Sequence, residues 1–217
     1  MVSENAAMSD AAVPSWTIAA EPVDAPVARA LFRAYYTEVA DRYYTLHEGR
    51  RATPEEIGRG VAEYTGEGLR PPRGVLLVAR HGGEPAGCAG ARLLDARTAE
   101  LKQVFVRPGK RGLGIASGLL RAAEAAAVRL GAERIRLDTR LDLTEAIALY
   151  RRRGYVEIAP YHFGDPYAEI FFEKRLAPPQ RELPAPQQEL TTPQQRLTPP
   201  QQGAGAGGDG AEAAVTW

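Results

Sequence analysis

Residues 101–120 read LKQVFVRPGKRGLGIASGLL, an apolar run followed by a basic glycine-rich turn and a long alanine- and leucine-rich segment. The apolar run ends a strand predicted over 98–107, and Pro108-Gly109 stops it because proline has no N–H to donate to a sheet. The segment that follows predicts a helix from Gly112 to Leu130. A strand, a basic loop and a helix therefore follow one another.

The start of this helix is predicted to bind an anion. Gly112 and Gly114 lack the Cβ atoms that would hold an anion away from the backbone N–H groups. The first turn of a helix also directs unsatisfied N–H donors and the positive end of its dipole at such an anion. Lys110 and Arg111 add positive charge beside it. A pyrophosphate is the anion that fits this arrangement best.

Three nucleotide-binding motifs compete for this loop, beside the alternative that it binds nothing. A Walker A loop, GxxxxGK[ST], is absent. A dinucleotide fingerprint, GxGxxG, would have Ser117 in its sixth place, although Asp138 at the end of a later strand could serve as its ribose-binding acid. The pattern of a coenzyme A pyrophosphate loop, Arg-x-x-Gly-x-(Gly or Ala), is met by Arg111, Gly114 and Ala116.

Hydrophobic periodicity and turn residues predict the remaining elements. The predicted order is one strand, two helices, three strands, a helix, a strand, a helix and two strands. The strands cover 16–20, 74–83, 84–95, 98–107, 133–139 and two segments around the turn at 164–166; the helices begin at Asp24, Thr53, Gly112 and Thr144. This order predicts a mixed α/β (α+β) fold with one central mixed β-sheet flanked by helices, rather than a strict βαβ ladder.

The two ends of the chain differ from its middle. Residues 177–217 contain a degenerate seven-residue repeat, PQRELPA, PQQELTT and PQQRLTP, followed by a Gly/Ala stretch. A proline in every repeat excludes a coiled coil, and one leucine per repeat buries too little apolar surface to offset the entropy of ordering. We expect a disordered tail there, a disordered arm over 1–14, and one folded domain over 15–176.

Composition narrows the classes of function. The 27 basic and 27 acidic residues cancel, so net charge would steer neither a nucleic acid nor an anionic membrane to the protein. The single cysteine, Cys88, excludes an internal disulfide framework and a CxxC metal site. The three histidines are far apart in sequence, so no metal site is expected. With no apolar run of membrane-spanning length and no signal peptide, a cytoplasmic protein is expected.

The sequence resembles the GNAT superfamily of acetyl-CoA-dependent N-acetyltransferases. The resemblance covers roughly 75–176, extends weakly to Trp16, and is carried by ELKQVFVRP at 100–108, the loop at 111–117 and AIALYRRRGY at 146–155. One departure is Leu143, which stands where the family often has an asparagine. The resemblance implies acetyl-CoA as the acyl donor and direct attack by a primary amine in a ternary complex.

Two catalytic roles follow from this chemistry. Glu100 is expected to be the base that removes a proton from the amine, the alternative being an exposed strand glutamate paired with Lys102 or Arg136. Tyr150 lies on one helical face with Ala146 and Ile147 and is expected to protonate the departing thiolate, the alternative being a core aromatic residue.

The other expected contacts are with the two substrates. Backbone N–H groups of the strand before the loop would bind the acyl oxygen and the pantetheine arm, which requires an unpaired strand edge. The expected coenzyme contacts are Val104, Phe105, Val106, Arg111, Gly112, Leu113, Gly114, Ile115, Ala116 and Ser117. Tyr35, Tyr36 and Tyr161 are candidates for the acceptor pocket, although core packing would also explain Tyr35 and Tyr36.

The expected acceptor is a small-molecule amine or a protein amino group, and the expected assembly is a monomer or a homodimer. Two other functions stay open: a non-catalytic acyl-CoA-binding sensor module and a dinucleotide-dependent oxidoreductase. Intact Glu100 and Tyr150 disfavour the first, and Ser117 with the basic loop disfavours the second.

Overall fold

The computed structural model describes residues 15–63 and 66–177. The predicted arm over 1–14 and all of the predicted tail except Ala177 lie outside these residues. The strands are β1 Trp16–Ala20, β2 Gly74–His81, β3 Glu84–Leu93, β4 Thr98–Val106, β5 Arg134–Thr139, β6 Val156–Ile158 and β7 Ile170–Arg175. The α-helices are α1 Pro26–Glu48, α2 Pro54–Glu63, α3 Ile115–Arg129 and α4 Thr144–Arg152.

The seven strands form one mixed sheet in the order β1-β2-β3-β4-β5-β7-β6. All neighbouring strands are antiparallel except β4 and β5, which run parallel. That parallel pair follows from α3, because a helix between two strands returns the chain to the same end of the sheet. The predicted fold class is confirmed.

Helices cover both faces of the sheet. On one face, α3 packs against β2, β3 and β4 through Leu119, Leu120 and a row of buried alanines, in a core that also holds Tyr150 of α4. On the other face, Leu31 and Phe32 of α1 join a second core with Cys88 and Phe105. Burial raises the pKa of the Cys88 thiol to about 12, so this cysteine is an inert core residue.

The starts of two helices follow from local sequence. At α2, the Thr53 N–H donates to the Glu56 carboxylate at 2.7 Å, and the Glu56 N–H donates to Thr53 Oγ1 at 3.2 Å, the reciprocal pair of a capping box. At α3, the first helical residue is Ile115 and not Gly112 as predicted, because the N-cap Gly114 has a left-handed φ of 77°. The glycines therefore belong to the loop.

Within the described ranges, no helix combines the length and the apolar character needed to cross a bilayer.

The packing of α1 on α2 provides a matched test with two glycines. A Cβ at Gly60 would lie 1.7 Å from Cζ of Tyr36, whereas a Cβ at Gly58 would meet nothing within 4 Å. We expect Gly60→Ala to displace the Tyr36 ring and destabilise the protein by about 1–3 kcal/mol. Gly58→Ala should instead stabilise it by about 0.5–1 kcal/mol. Thermal unfolding of both variants checks this, and equal shifts of Tm would contradict the packing.

Candidate active site

A gap opens between the two parallel strands at the centre of the sheet. Strands β4 and β5 pair only over Thr98–Glu100 and Arg134–Arg136. Beyond Glu100 the two strands diverge, and no strand in the described part of the chain pairs with this edge of β4 up to Val106. Unpaired N–H and C=O groups on a strand edge bind an extended ligand as a further strand would.

A bulge in β4 lies within this open edge. Gln103 has a left-handed φ of 55°, and the register with β3 shifts between Cys88 and Gly90. Cys88 Sγ lies 3.4 Å from the Gln103 carbonyl oxygen, on the side of β3. Bulges re-aim the backbone locally and are over-represented next to active sites.

The loop after β4 has the geometry of an anion site. Gly112 and Gly114 have φ values of 81° and 77°, in the region that glycine favours. A Cβ at either position would meet nothing within 4 Å, so the requirement for glycine is conformational. No side chain caps the N-terminus of α3, which leaves its first N–H groups for a ligand.

Trp16 supports this loop from the far edge of the sheet. Its indole Nε1 donates to the Leu113 carbonyl oxygen at 2.9 Å, and its ring lies over Gly118, where a Cβ would be 2.3 Å away. The sequence pattern predicts a strand at Trp16 but not this contact with the loop. The one sequence signal for this contact is Gly118 inside the predicted helix, because a glycine within a helix often marks close packing by another part of the chain.

Polar contacts hold the basic side chains of Lys110 and Arg111 in the loop. Arg111 donates through Nε to the Val106 carbonyl oxygen at 3.0 Å, and its Nη2 lies 2.5 Å from Glu38 of α1. Lys110 Nζ lies 3.2 Å from His81 Nδ1. Arg111 therefore faces α1 in this structure. To contact an anion at the start of α3, Arg111 has to break its ion pair with Glu38.

A polar network lies where β4 and β5 diverge. Glu100 is only 1% exposed, and Nε and Nη2 of Arg92 bind its Oε2 at 2.7 and 2.6 Å. The Tyr161 hydroxyl donates to Oε1 of Glu100 at 2.9 Å. Arg136, the other cation proposed as a partner, binds Glu173 instead. Glu100 is therefore a buried carboxylate and not an exposed one, and of the two cations expected to pair with it, Lys102 does so.

Lys102 connects this carboxylate to β5 across the gap. Its Nζ lies 3.6 Å from Oε1 of Glu100 and 3.1 Å from Oδ1 of Asp138, which also lies 3.3 Å from His162 Nε2. Ligand atoms of Glu100, Asp138 and His162 come within 4.8 Å of one another, close enough to hold a metal ion. Arg92 and Lys102 already supply the positive charge that these carboxylates need, so the donor set does not fit a cation well.

Tyr150 approaches the same gap from the opposite face of the sheet. Its ring packs against Tyr155 and Phe172, with centroids 5.8 and 6.1 Å away. Burial strongly raises the pKa of the Tyr150 phenol, and the neighbouring Tyr35 and Asp138 raise it further. Tyr150 is thus a core residue whose phenol keeps its proton at neutral pH.

The three candidate acceptor residues lie in different places. Tyr35 packs edge-on against Phe105, and burial raises the pKa of its phenol to about 12. Tyr161 joins the Glu100 network, its ring held against Phe171. Tyr36 points to α2 at Gly60, because adjacent helical residues lie about 100° apart. The structure therefore brings Tyr35 and Tyr161 to the network but not Tyr36.

Comparison with known proteins agrees with this geometry. The sequence profile of the acetyltransferase (GNAT) family matches residues 28–155. The chain belongs to the GNAT acetyltransferase family. It is therefore an acetyltransferase, and the long helix, the bulged open strand and the glycine loop lie within the matched residues.

Individual relatives extend the match. The IAA acetyltransferase of Azospirillum brasilense is 36% identical over 104 residues, which cover 46% of this acetyltransferase and 67% of that protein. A Klebsiella pneumoniae structure assigned as an acyl-CoA N-acyltransferase is 27% identical, with a TM-score of 0.58 and coverage of 75% of this chain and 98% of that one. A GNAT acetyltransferase from Elizabethkingia anophelis, solved with acetyl-CoA bound, is 20% identical, with a TM-score of 0.51 and coverage of 76% and 100%.

Two residues of this network, Arg92 and Lys102, were not predicted as site residues from the sequence. Both read as ordinary strand cations. Alternation along β4 places Lys102 on the same face as Glu100, so Lys102 could have been found by its spacing. Arg92 lies directly opposite Glu100 in the hairpin of β3 and β4, so it could have been found only by fixing the register of that hairpin.

Proposed function

We propose that this protein transfers an acetyl group from acetyl-CoA to a primary amine, by direct attack in a ternary complex. The observation that carries the proposal is the gap between β4 and β5, which has the glycine loop at its open end and the buried Glu100 network where the strands part. A ligand with a pyrophosphate at one end and a reactive group at the other suits such a gap.

The coenzyme would bind along β4. Backbone N–H groups of the loop and helix start would hold its pyrophosphate, and the free edge over Val104–Val106 would pair with the pantetheine arm. Since the loop follows Val106, the arm runs from there towards earlier residues of β4 and brings the thioester to the region of Lys102 and Glu100. The same fold in the Elizabethkingia anophelis protein holds acetyl-CoA.

The amine must lose a proton to attack. An alkylamine with a pKa of about 10.4 is neutral in only about one molecule in 2,500 at pH 7, so a base must assist. Glu100 would accept the proton through the Tyr161 hydroxyl, which already donates to its Oε1 at 2.9 Å. Arg92 would keep the carboxylate in place. In this arrangement Tyr161 passes its own proton to Glu100 and takes one from the amine.

The departing thiolate needs a proton donor. The nitrogen–carbon bond forms, the carbon–sulfur bond breaks, and the electron pair goes to sulfur. Tyr150 stays neutral because burial raises its pKa, so it can donate to that sulfur. The thiolate forms in the same desolvated surroundings. Desolvation raises the pKa of the coenzyme thiol and brings it closer to that of the phenol.

Titration calorimetry with acetyl-CoA and with NAD tests the cofactor. We expect acetyl-CoA to bind and NAD not to bind; tight NAD binding without acetyl-CoA binding would overturn the proposal in favour of an oxidoreductase. Thiol release across a panel of small amines and peptide N-termini then tests transfer. Coenzyme binding with no thiol release for any amine would favour an acyl-CoA sensor.

The ion pair between Arg111 and Glu38 gives a further prediction. We expect Glu38→Gln to tighten acetyl-CoA binding by about two- to fivefold, because a half-exposed pair contributes up to about 1 kcal/mol that Arg111 must give up to meet the pyrophosphate. Glu133→Gln, which removes an exposed pair with Arg97, is the matched control and should leave the Kd unchanged. Weaker binding in Glu38→Gln would mean that Glu38 positions Arg111 for the coenzyme.

A further inference from the structure

The ammonium of Lys102 lies at the place where the acceptor amine of the proposed reaction has to be. Its Nζ spans the gap between the diverging strands, 3.6 Å from Oε1 of Glu100 on β4 and 3.1 Å from Oδ1 of Asp138 on β5. The last paired residues of the two strands are Glu100 and Arg136, so this nitrogen lies just inside the opening. It is a primary alkylamine, the chemical class that the proposed function acetylates.

Lys102 also lies beside the expected path of the thioester. The pantetheine arm would run from Val106 back to Val104, and Lys102 is two residues further along the same strand, about 7 Å in extended chain. The bulge at Gln103 separates Lys102 from Val104. The Lys102 side chain is 28% exposed, so it faces the opening rather than a sealed core.

We propose that Lys102 is itself acetylated by acetyl-CoA within the same chain, a modification that rests on the proposed acetyl transfer. The ammonium gives one proton to Glu100, which passes it to solvent, and the neutral Nζ attacks the thioester carbonyl. The Nζ–carbon bond forms, the carbon–sulfur bond breaks, and the sulfur takes the hydroxyl proton of Tyr150. The second proton of Nζ then restores the Tyr150 hydroxyl. The products are Nε-acetyl-Lys102 and free coenzyme A.

Acetylation would alter the site by removing charge. An acetylated lysine has no cation to place between Glu100 and Asp138, and its longer neutral side chain partly fills the gap. Of the groups around Asp138, His162 would keep its contact at 3.3 Å. Acetyl-Lys102 would therefore form when acetyl-CoA is bound in the absence of an acceptor amine, and it would change how the next amine binds.

The test is isotopic labelling of the full chain without added amine. The purified protein is incubated with acetyl-CoA that carries a deuterated acetyl group, and labelled lysines are located by peptide mass spectrometry. The sequence has three lysines, so Lys110 and Lys174 are internal controls for non-enzymatic acetylation. We expect Lys102 to be labelled about tenfold faster than either, with a rate constant independent of protein concentration, because the reaction occurs within one molecule.

Two variants make the result specific. Tyr150→Phe should slow labelling of Lys102 by the factor by which it slows amine acetylation, and Lys102→Arg should carry no label at that position. Labelling of Lys102 no faster than that of Lys110 and Lys174, labelling unchanged in Tyr150→Phe, or a rate constant proportional to protein concentration would each overturn the proposal. Acetylation of external amines with Lys102 unlabelled would refute self-acetylation alone, whereas no transfer to any amine would refute the proposed function as well.

Discussion

Glu100→Gln is expected to lower kcat/KM for amine acetylation by about 10²–10⁴-fold at pH 7. Glutamine keeps the shape of the side chain, and its one carbonyl oxygen can still accept from Arg92 while its NH2 group takes the place of Oε1 beside the Tyr161 hydroxyl. It cannot hold the proton that the amine loses. The variant then depends on amine that is already neutral. Its log kcat/KM should rise with a slope of about one up to the pKa of the amine, about 10.4, whereas the wild type should level off at lower pH. Steady-state thiol release from pH 6 to 10 measures both curves.

A control is needed because Glu100 is also a buried carboxylate that pairs with Arg92 and Lys102. Removing one partner of a buried ion pair destabilises a protein, and such a loss could be mistaken for a catalytic one. Glu173→Gln removes a comparable pair, with Arg136 at 2.7 Å, on a neighbouring strand. Each variant is followed by thermal unfolding and by activity. Parallel pH profiles for the wild type and Glu100→Gln would remove Glu100 from the role of base.

The proposed route through Tyr161 is tested by combining variants. Tyr161→Phe should lower kcat/KM in the same direction as Glu100→Gln, since it removes the hydroxyl that donates to Oε1 at 2.9 Å and that would carry the proton to Glu100. The double variant should be little worse than Glu100→Gln, because groups that act as one unit are not additive. Additive losses would indicate that Tyr161 contributes to acceptor binding instead.

Tyr150→Phe is expected to lower kcat by about 10²-fold or more and to leave the Kd for acetyl-CoA within about twofold. Phenylalanine retains the packing against Tyr155 and Phe172 and removes only the proton that the thiolate needs. A loss confined to kcat means that the interaction is made in the transition state and not in the ground state. Single-turnover thiol release and calorimetric titration separate the two quantities.

Tyr155→Phe is the matched control for that experiment. Tyr155 is also buried and contacts the Tyr150 ring, but its hydroxyl interacts with Glu124 and not with the Glu100 network. Removing that hydroxyl should leave kcat unchanged, because it takes no part in the proposed proton transfers. Full turnover in Tyr150→Phe would reduce Tyr150 to a core residue.

Local chemistry explains why the order of elements could be predicted. Proline at 54 and 108, and glycine at 112, 114 and 131, restrict the backbone over a few residues, whatever the rest of the chain does. The capping box at Thr53 and Glu56 forms as its spacing requires. The start of α3 was misplaced by three residues because glycine tolerates both helical and left-handed backbone, and only the folded chain selects one.

Sequence by itself determined the strand–loop–helix unit, the glycine loop and the family, since each depends on residues close together in the chain. Tertiary structure alone decided which side chains meet: Arg92 and Tyr161 on Glu100, Lys102 across to Asp138, and Tyr36 turned away towards α2. The physical reason is that register between strands and the orientation of a helix are set by burial of the whole core. The residue at which β4 and β5 stop pairing therefore decides which charged side chains lie together in the site.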